Sequence, residues 1–202
     1  MFLRELRAIG LEDVYHPVKG AANYSLLYVV IRIVRELGPK SILELGAGET
    51  TRLLSALIDK GLTHNVDTIE GSEYWANRIS NAATNVNVIH APLSERRFEG
   101  LSFVGYDLKE IEQKRYDLII IDGPNGTAGV SRASGLEVAA KCLSPEFIIV
   151  IDDAERLGER RMMRCLLRLL KVRGLNVKRQ TTRSINWQIV VATSSFEAAL
   201  YF

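Results

Sequence analysis

The chain has 202 residues, 47% of them hydrophobic and 25% charged, and a formal net charge of +2 at pH 7. That length and apolar content suit one folding unit with a sizeable core, and a charge so near balance excludes a surface built throughout for nucleic acid or an anionic membrane. The two cysteines, Cys142 and Cys165, are too widely spaced for a paired metal motif and read as reduced core thiols; with no secretory pattern at the start and no apolar run of roughly 20 residues, a cytoplasmic location and no membrane partner are expected.

Leu26, Val30, Ile33, Val34 and Leu37 recur at helical spacing and predict a core-facing helix closed by Gly38-Pro39. Strand-like runs then follow at Ile42 to Leu45, Val66 to Glu70, Val86 to His90, Tyr116 to Asp122 and Phe147 to Asp152. Between them, helices are expected near Thr51 to Asp59, Glu73 to Ala82, Ser134 to Leu143 and Glu159 to Val172. This alternation predicts a parallel sheet with helices on both faces. After the fifth strand, Leu175 to Thr182 and Ile185 to Thr193 are separated only by Arg183-Ser184, which predicts an antiparallel hairpin.

In open α/β sheets ligands sit outside the carboxyl ends of the strands, and this sorts the candidate site residues. Ser41-Ile-Leu-Glu-Leu-Gly-Ala-Gly-Glu-Thr-Thr51 reads as a strand, a glycine turn and a helix start, with Gly46 and Gly48 admitting close approach and Thr50 and Thr51 available as caps. Glu44 there would repel a pyrophosphate and attract an amine or sulfonium, while Glu70 at the second strand end can bind a ribose diol. His90 and the following Ala91-Pro92-Leu93 lie on the same edge; His64 falls on the opposite one. Asp122 ends the fourth strand and Asp152-Asp153 the fifth. Adjacent strand ends are about 5 Å apart, so these three carboxylates should converge and repel one another unless a cation or protons intervene.

The acid, the glycine turn and the second-strand acid together resemble the opening motifs of the class I S-adenosylmethionine-dependent methyltransferases, and the resemblance runs in motif order over residues 40 to 195. It implies an α/β fold, a Rossmann-like doubly wound and mostly parallel sheet of seven strands with a C-terminal antiparallel hairpin. It also implies a single methyltransferase domain over 1 to 202, with a helical lid segment at 1 to 39 and the cofactor-binding core at 40 to 195. By the same resemblance Glu44, Gly46, Ala47 and Gly48 surround the methionine part, Glu70 and Gly71 meet the ribose, Ala91 lies against the adenine, and Asp122 faces the transferable methyl. Thr50 stands where a third glycine is common.

Two mechanisms fit these residues. In one, similar to the catechol-type O-methyltransferases, Asp122, Asp152 and Asp153 hold Mg²⁺, although those enzymes usually carry asparagine where Asp153 stands. In the other there is no metal, Asp122 deprotonates or orients the acceptor, and the remaining acids cap the next helix or pair with Arg156 or Arg160. His16 is a second candidate base because its ordinary pKa lies near neutrality, in a lid segment with Lys19, Asn23 and Tyr24.

The Asp122-Gly-Pro and Asp152-Asp-Ala-Glu-Arg156 segments look like small bacterial and plant-type methyltransferases, some acting on sugar hydroxyls. The implied acceptor is a hydroxyl of a small molecule or sugar, with Arg132 available to hold an acidic group; a homodimer is among the assemblies expected. A nucleic-acid acceptor is the alternative, raised by Arg161, Arg164, Arg168 and Lys171 opposite the apolar face of the Glu159 to Arg173 helix. Balanced net charge, the lack of aromatic residues among those arginines and the lack of an Asn-Pro-Pro-Tyr-like segment weigh against it, so that face reads as solvated. An NAD(P)-dependent oxidoreductase would use the same turn but is opposed by Glu44 and the terminal hairpin; a non-catalytic binding module is a third alternative.

Overall fold

Two short runs, Leu118 to Ile121 and Ile148 to Ile151, have no exposed surface at all, as strands covered on both faces must. They lie side by side at the centre of the computed structural model, which describes residues 1–12, 15, 23–124, 132–184 and 186–202. In chain order the elements are α1 (Phe2–Ala8), α2 (Tyr24–Leu37), β1 (Ser41–Leu45), α3 (Glu49–Asp59), β2 (Asn65–Glu70), α4 (Glu73–Ala82), β3 (Asn87–His90), β4 (Leu93–Phe98) and β5 (Leu101–Tyr106). Then follow β6 (Tyr116–Ile121), α5 (Ser134–Cys142), β7 (Leu143–Ile151), α6 (Leu157–Val172), β8 (Lys178–Arg183), β9 (Trp187–Ala192) and a final 3₁₀ segment, Ser194–Tyr201. The sheet has seven strands in the order β3-β2-β1-β6-β7-β9-β8; the five through β7 run parallel, and β9 is antiparallel to both its neighbours. This is the mixed, doubly wound α/β sheet that the motif order implied, and its strand order reverses between β1 and β6, the position at which open α/β sheets take their ligands.

Strand alternation divides the core between the two faces. Ile42, Leu118, Ile120, Ile148 and Val150 point to the side covered by α2, α3, α4 and the 3₁₀ segment. Leu43, Ile119, Ile121, Ile149 and Ile151 point to the side covered by α5, α6 and the β4–β5 hairpin.

That hairpin is absent from the sequence reading, and it replaces the helix that a doubly wound crossover between β3 and β6 would ordinarily carry. Its turn is Glu99-Gly100, both with positive φ, the geometry that suits the twist of a two-residue connection. Leu101, Phe103 and Tyr106 fill the core side, and Arg96 grips Glu137 of α5 through two bonds of 2.7 and 2.6 Å. The terminal hairpin also starts later than expected, at Lys178, because Leu175 and Val177 pack against the α5–α6 side instead of pairing; its turn is tied by Ser184 donating to the Asn186 carbonyl.

Gly46 is needed for two reasons at once. Its φ is +95°, and a Cβ built on it would stand 2.9 Å from the Gly123 Cα, so the turn after β1 and the loop after β6 touch backbone to backbone. Gly46→Ala is expected to lower unfolding free energy by about 1–3 kcal/mol through this overpacking, measured by chemical denaturation; equal midpoints would show that the two loops separate at no cost.

Candidate active site

The turn after β1 is held from three directions. Glu70 at the end of β2 accepts from the Ala47 amide at 3.1 Å and from the Ser72 amide at 2.8 Å, and Trp75 of α4 donates its indole N–H to the Ala47 carbonyl at 2.7 Å. Thr51 Oγ1 accepts from the Gly48 amide and passes its own proton toward Glu44 Oε2 at 2.6 Å, where Thr68 also donates at 2.8 Å. Of the two expected caps, then, Thr51 acts, while the buried Thr50 hydroxyl has no partner among the described residues.

Glu44 has no exposed surface, and its second oxygen, Oε1, has no partner among the described residues. Burial pushes its pKa up to about 8, the two threonine hydroxyls work against that, and the charges of Asp122 and Glu70 add to it. A sealed carboxyl with one idle oxygen beside a glycine turn is suited to meeting a cation brought by a ligand.

Past β6 and β7, Asp122, Asp152 and Asp153 each bring an oxygen to a volume within which all lie no more than 4.8 Å apart, as the topology predicted. The cation among them is Arg132. Its guanidinium is 2.6 Å from Asp153 and 3.2 Å from Asp122, and donates to the Asp152 carbonyl at 2.8 Å; Glu159 stands 4.0 Å away. Asp153, in a left-handed conformation at φ +55°, also pairs with Arg156 at 2.7 Å and accepts from Asn186 at 2.6 Å. Asp152 accepts from the buried Gln188 at 2.6 Å and, more distantly, from Asn23, which caps α2 through its contacts with the Ser25 and Leu26 amides. This donor set does not fit Mg²⁺, which requires close-set oxygens free of other cations; the guanidinium already takes up the charge.

Asp122 and Asp152 share a hydrogen bond, and both pKa values are raised. For Asp122 burial is the main cause, Arg132 opposes it, and the neighbouring aspartates reinforce it. With one fifth of its side chain exposed, Asp122 is the member of the cluster that an incoming molecule can reach.

The other candidates fall as follows. Gly48 caps α3, and Gly71 lies under Leu93, the exposed apolar group of the segment after β3. Ala91 is 2% exposed and donates its amide to the Glu70 carbonyl, so it supports that wall from behind. His64 lines a shallow cleft of about 380 Å³ with Asn65, Asp67 and Lys114 on the amino edge, away from the acids. His16 lies outside the described residues. Arg132 departs from expectation: a residue 2% exposed and engaged by its own acids is not an open hold for an acidic substrate. Trp75, Thr68, Gln188 and Tyr106 were not anticipated. Tyr106 brings its hydroxyl beside Gly123, and its phenol is raised well above the usual range by burial.

No family model and no curated protein sequence matches the chain. Solved structures do. An O-methyltransferase from Bacillus cereus in complex with SAH is 20% identical over 95% of this chain and 88% of that one, with a TM-score of 0.55. A methyltransferase from Pyrococcus furiosus is 18% identical over 95% and 94%, with a TM-score of 0.54. The chain has the class I methyltransferase fold. A precorrin-6y C5,15-methyltransferase from Geobacter metallireducens, 16% identical over 90% and 94% at a TM-score of 0.56, shares it too, so one sheet serves dissimilar acceptors in these enzymes.

The raised pKa of Glu44 has a signed consequence for stability. The folded chain holds this proton more tightly than the unfolded one, so the contribution is complete below the ordinary carboxyl pKa and is lost as pH rises toward about 8. Between those limits the loss is at most about 1.4 kcal/mol per pH unit. Glu44→Gln should flatten that slope, read as the difference between the two proteins in urea midpoints from pH 5 to 8; parallel curves would show an ionised Glu44 throughout.

Proposed function

We propose that the chain is an S-adenosylmethionine-dependent methyltransferase acting on a hydroxyl, without a metal. The observation that carries this reading is the buried oxygen of Glu44 at the end of β1, which has no partner among the described residues, with a second acid, Glu70, at the end of the neighbouring strand. A doubly wound fold that bound a dinucleotide there would set its pyrophosphate against Glu44, whereas an amino-acid ammonium would satisfy it. Bound at this place, S-adenosylmethionine supplies an activated methyl on a sulfonium.

The chain's own residues do the rest. Glu70 holds the glycine turn through Ala47 and offers its carboxylate to a ribose diol. Gly46 and Gly123 leave the floor bare. Asp122 is the base: its pKa is lifted toward neutrality by burial, against the pull of Arg132, and by its neighbouring aspartates, so it can take the proton that an acceptor hydroxyl loses as the methyl arrives and become neutral, while Arg132 steadies the carboxylate before that transfer. Asn23 and Gln188 fix Asp152, and through it the orientation of Asp122.

Equilibrium binding of S-adenosylmethionine, S-adenosylhomocysteine and NAD tests the reading; preference for NAD would overturn it. Glu70→Ala is expected to weaken S-adenosylhomocysteine binding by about 1–3 kcal/mol, measured by calorimetry. Asp122→Asn should lower kcat by about 10²–10⁴ with cofactor affinity retained, and EDTA should leave turnover unchanged. Activity lost to EDTA and restored by Mg²⁺ would return the aspartates to metal binding.

A further inference from the structure

Beside the acids of the site runs a basic surface whose cations have no acidic partner among the described residues. On α6, Arg160, Arg161, Arg164, Arg168 and Lys171 are all exposed and fall within one arc of the helix, spread over about 16 Å of its length. Arg160, Arg164 and Arg168 are four apart, a spacing at which like charges destabilise a helix, and Arg160 and Arg161 crowd the end where the dipole disfavours them. Buried Met162, Met163, Leu166 and Leu170 hold the opposite face to the core, so the basic arc is fixed outward.

Strand β8 extends this surface. Arg179 and Arg183 pair with Val191 and Trp187 of β9, whose side chains pack toward α6, so both arginines lie on the α6 side of the sheet. None of these cations forms an ion pair with a described residue, in contrast to Arg156, which is paired with Asp153. The aromatic residue that the helix itself lacks comes from the neighbouring strand: the guanidinium carbons of Arg160 and Arg183 stand 5.2 and 4.5 Å from the centroid of the half-buried Trp187 ring. Trp187 is anchored at the carboxyl edge, accepting from the Ala154 amide at 2.9 Å and donating to Glu155 at 2.8 Å, just beyond Asp152-Asp153.

We propose that this α6–β8 surface is a phosphate-binding track for RNA, and that the methyl acceptor is carried on the bound strand. The acceptor half of the statement rests on the methyl-transfer reading above. A row of cations with no acidic partners suits a polyanion better than a single charged group, and one end of the row reaches the carboxyl edge two strands from Asp122. RNA is favoured because its ribose offers a hydroxyl to the base already present. A membrane would need apolar groups set among the cations, whereas exposed Leu157 and Val172 lie at the two ends of α6.

The test measures fluorescence anisotropy of a short, labelled, mixed-sequence single-stranded RNA with the full chain over a potassium chloride series. For about five phosphate contacts the log–log slope should be about −3 to −4. Arg164→Glu with Arg168→Glu should weaken binding at least about tenfold and reduce the slope by about 1 per residue, and Arg183→Glu alone should show a smaller loss of the same kind. Melting temperature should not fall in the double variant, as relief of like-charge repulsion along α6 requires, and S-adenosylhomocysteine affinity should be unchanged in both. Wild-type binding no tighter than the double variant's, or insensitive to salt, would overturn the proposal, as would charge-dependent binding to phosphatidylserine vesicles without RNA binding. RNA binding that obeys the variants in a chain that fails to bind S-adenosylhomocysteine would keep the track and remove methyl transfer.

Discussion

A guanidinium set among four carboxylates holds the carboxyl edge of this sheet together. Asp122, Asp152, Asp153 and Glu159 come from the ends of two central strands and the first turn of a helix, and Arg132 is the cation that lets them remain so close. Breaking such a cluster by removing one member leaves an uncompensated buried charge, typically a loss of about 3–5 kcal/mol, even where the intact cluster adds little net stability. Its value here is positional. The backbone after β7 takes a left-handed turn at Asp153, and the arginines on its carboxylate hold it there, leaving Asp122 the one partly exposed acid.

The two sides of this carboxyl edge solve opposite electrostatic problems. On the β1–β2 side, Glu44 is sealed with hydroxyl donors on one oxygen and nothing described on the other, and burial raises its pKa. On the β6–β7 side the cation is built in, and the remaining acidity is shared between Asp122 and Asp152. On the function proposed above, a positively charged ligand meets its complement on the first side and proton acceptance is provided on the second. Beyond both, the α6–β8 surface carries charge of one sign that a net value of +2 conceals, because acids elsewhere cancel it.

What the sequence made legible was whatever depends on local pattern. Buried apolar runs announced β1, β6 and β7, and glycines two apart after a buried strand announced the turn. The order of these elements then placed Glu44, Glu70, Asp122 and Asp152-Asp153 on one edge. The β4–β5 hairpin escaped because Ser94 to Arg97 are polar and partly or fully exposed, so only one strand alternates clearly. Arg132 was read as open to substrate because its partners are supplied by a different strand and helix. The same blindness hid Trp187 from the arginines of α6, which lie some 25 residues earlier in the chain, and hid the Trp75 bond to Ala47; no spacing rule reports contacts of that reach.

Two contacts fix the described residues that flank positions 125–131. At one, Gly123 is pressed on Gly46; at the other, the Ser134 hydroxyl accepts from the Tyr106 amide at 3.1 Å and pins the start of α5 to the hairpin. Both contacts are made by residues outside that interval. Substitutions between them therefore leave the footing of Asp122 and of α5 to residues that they do not touch.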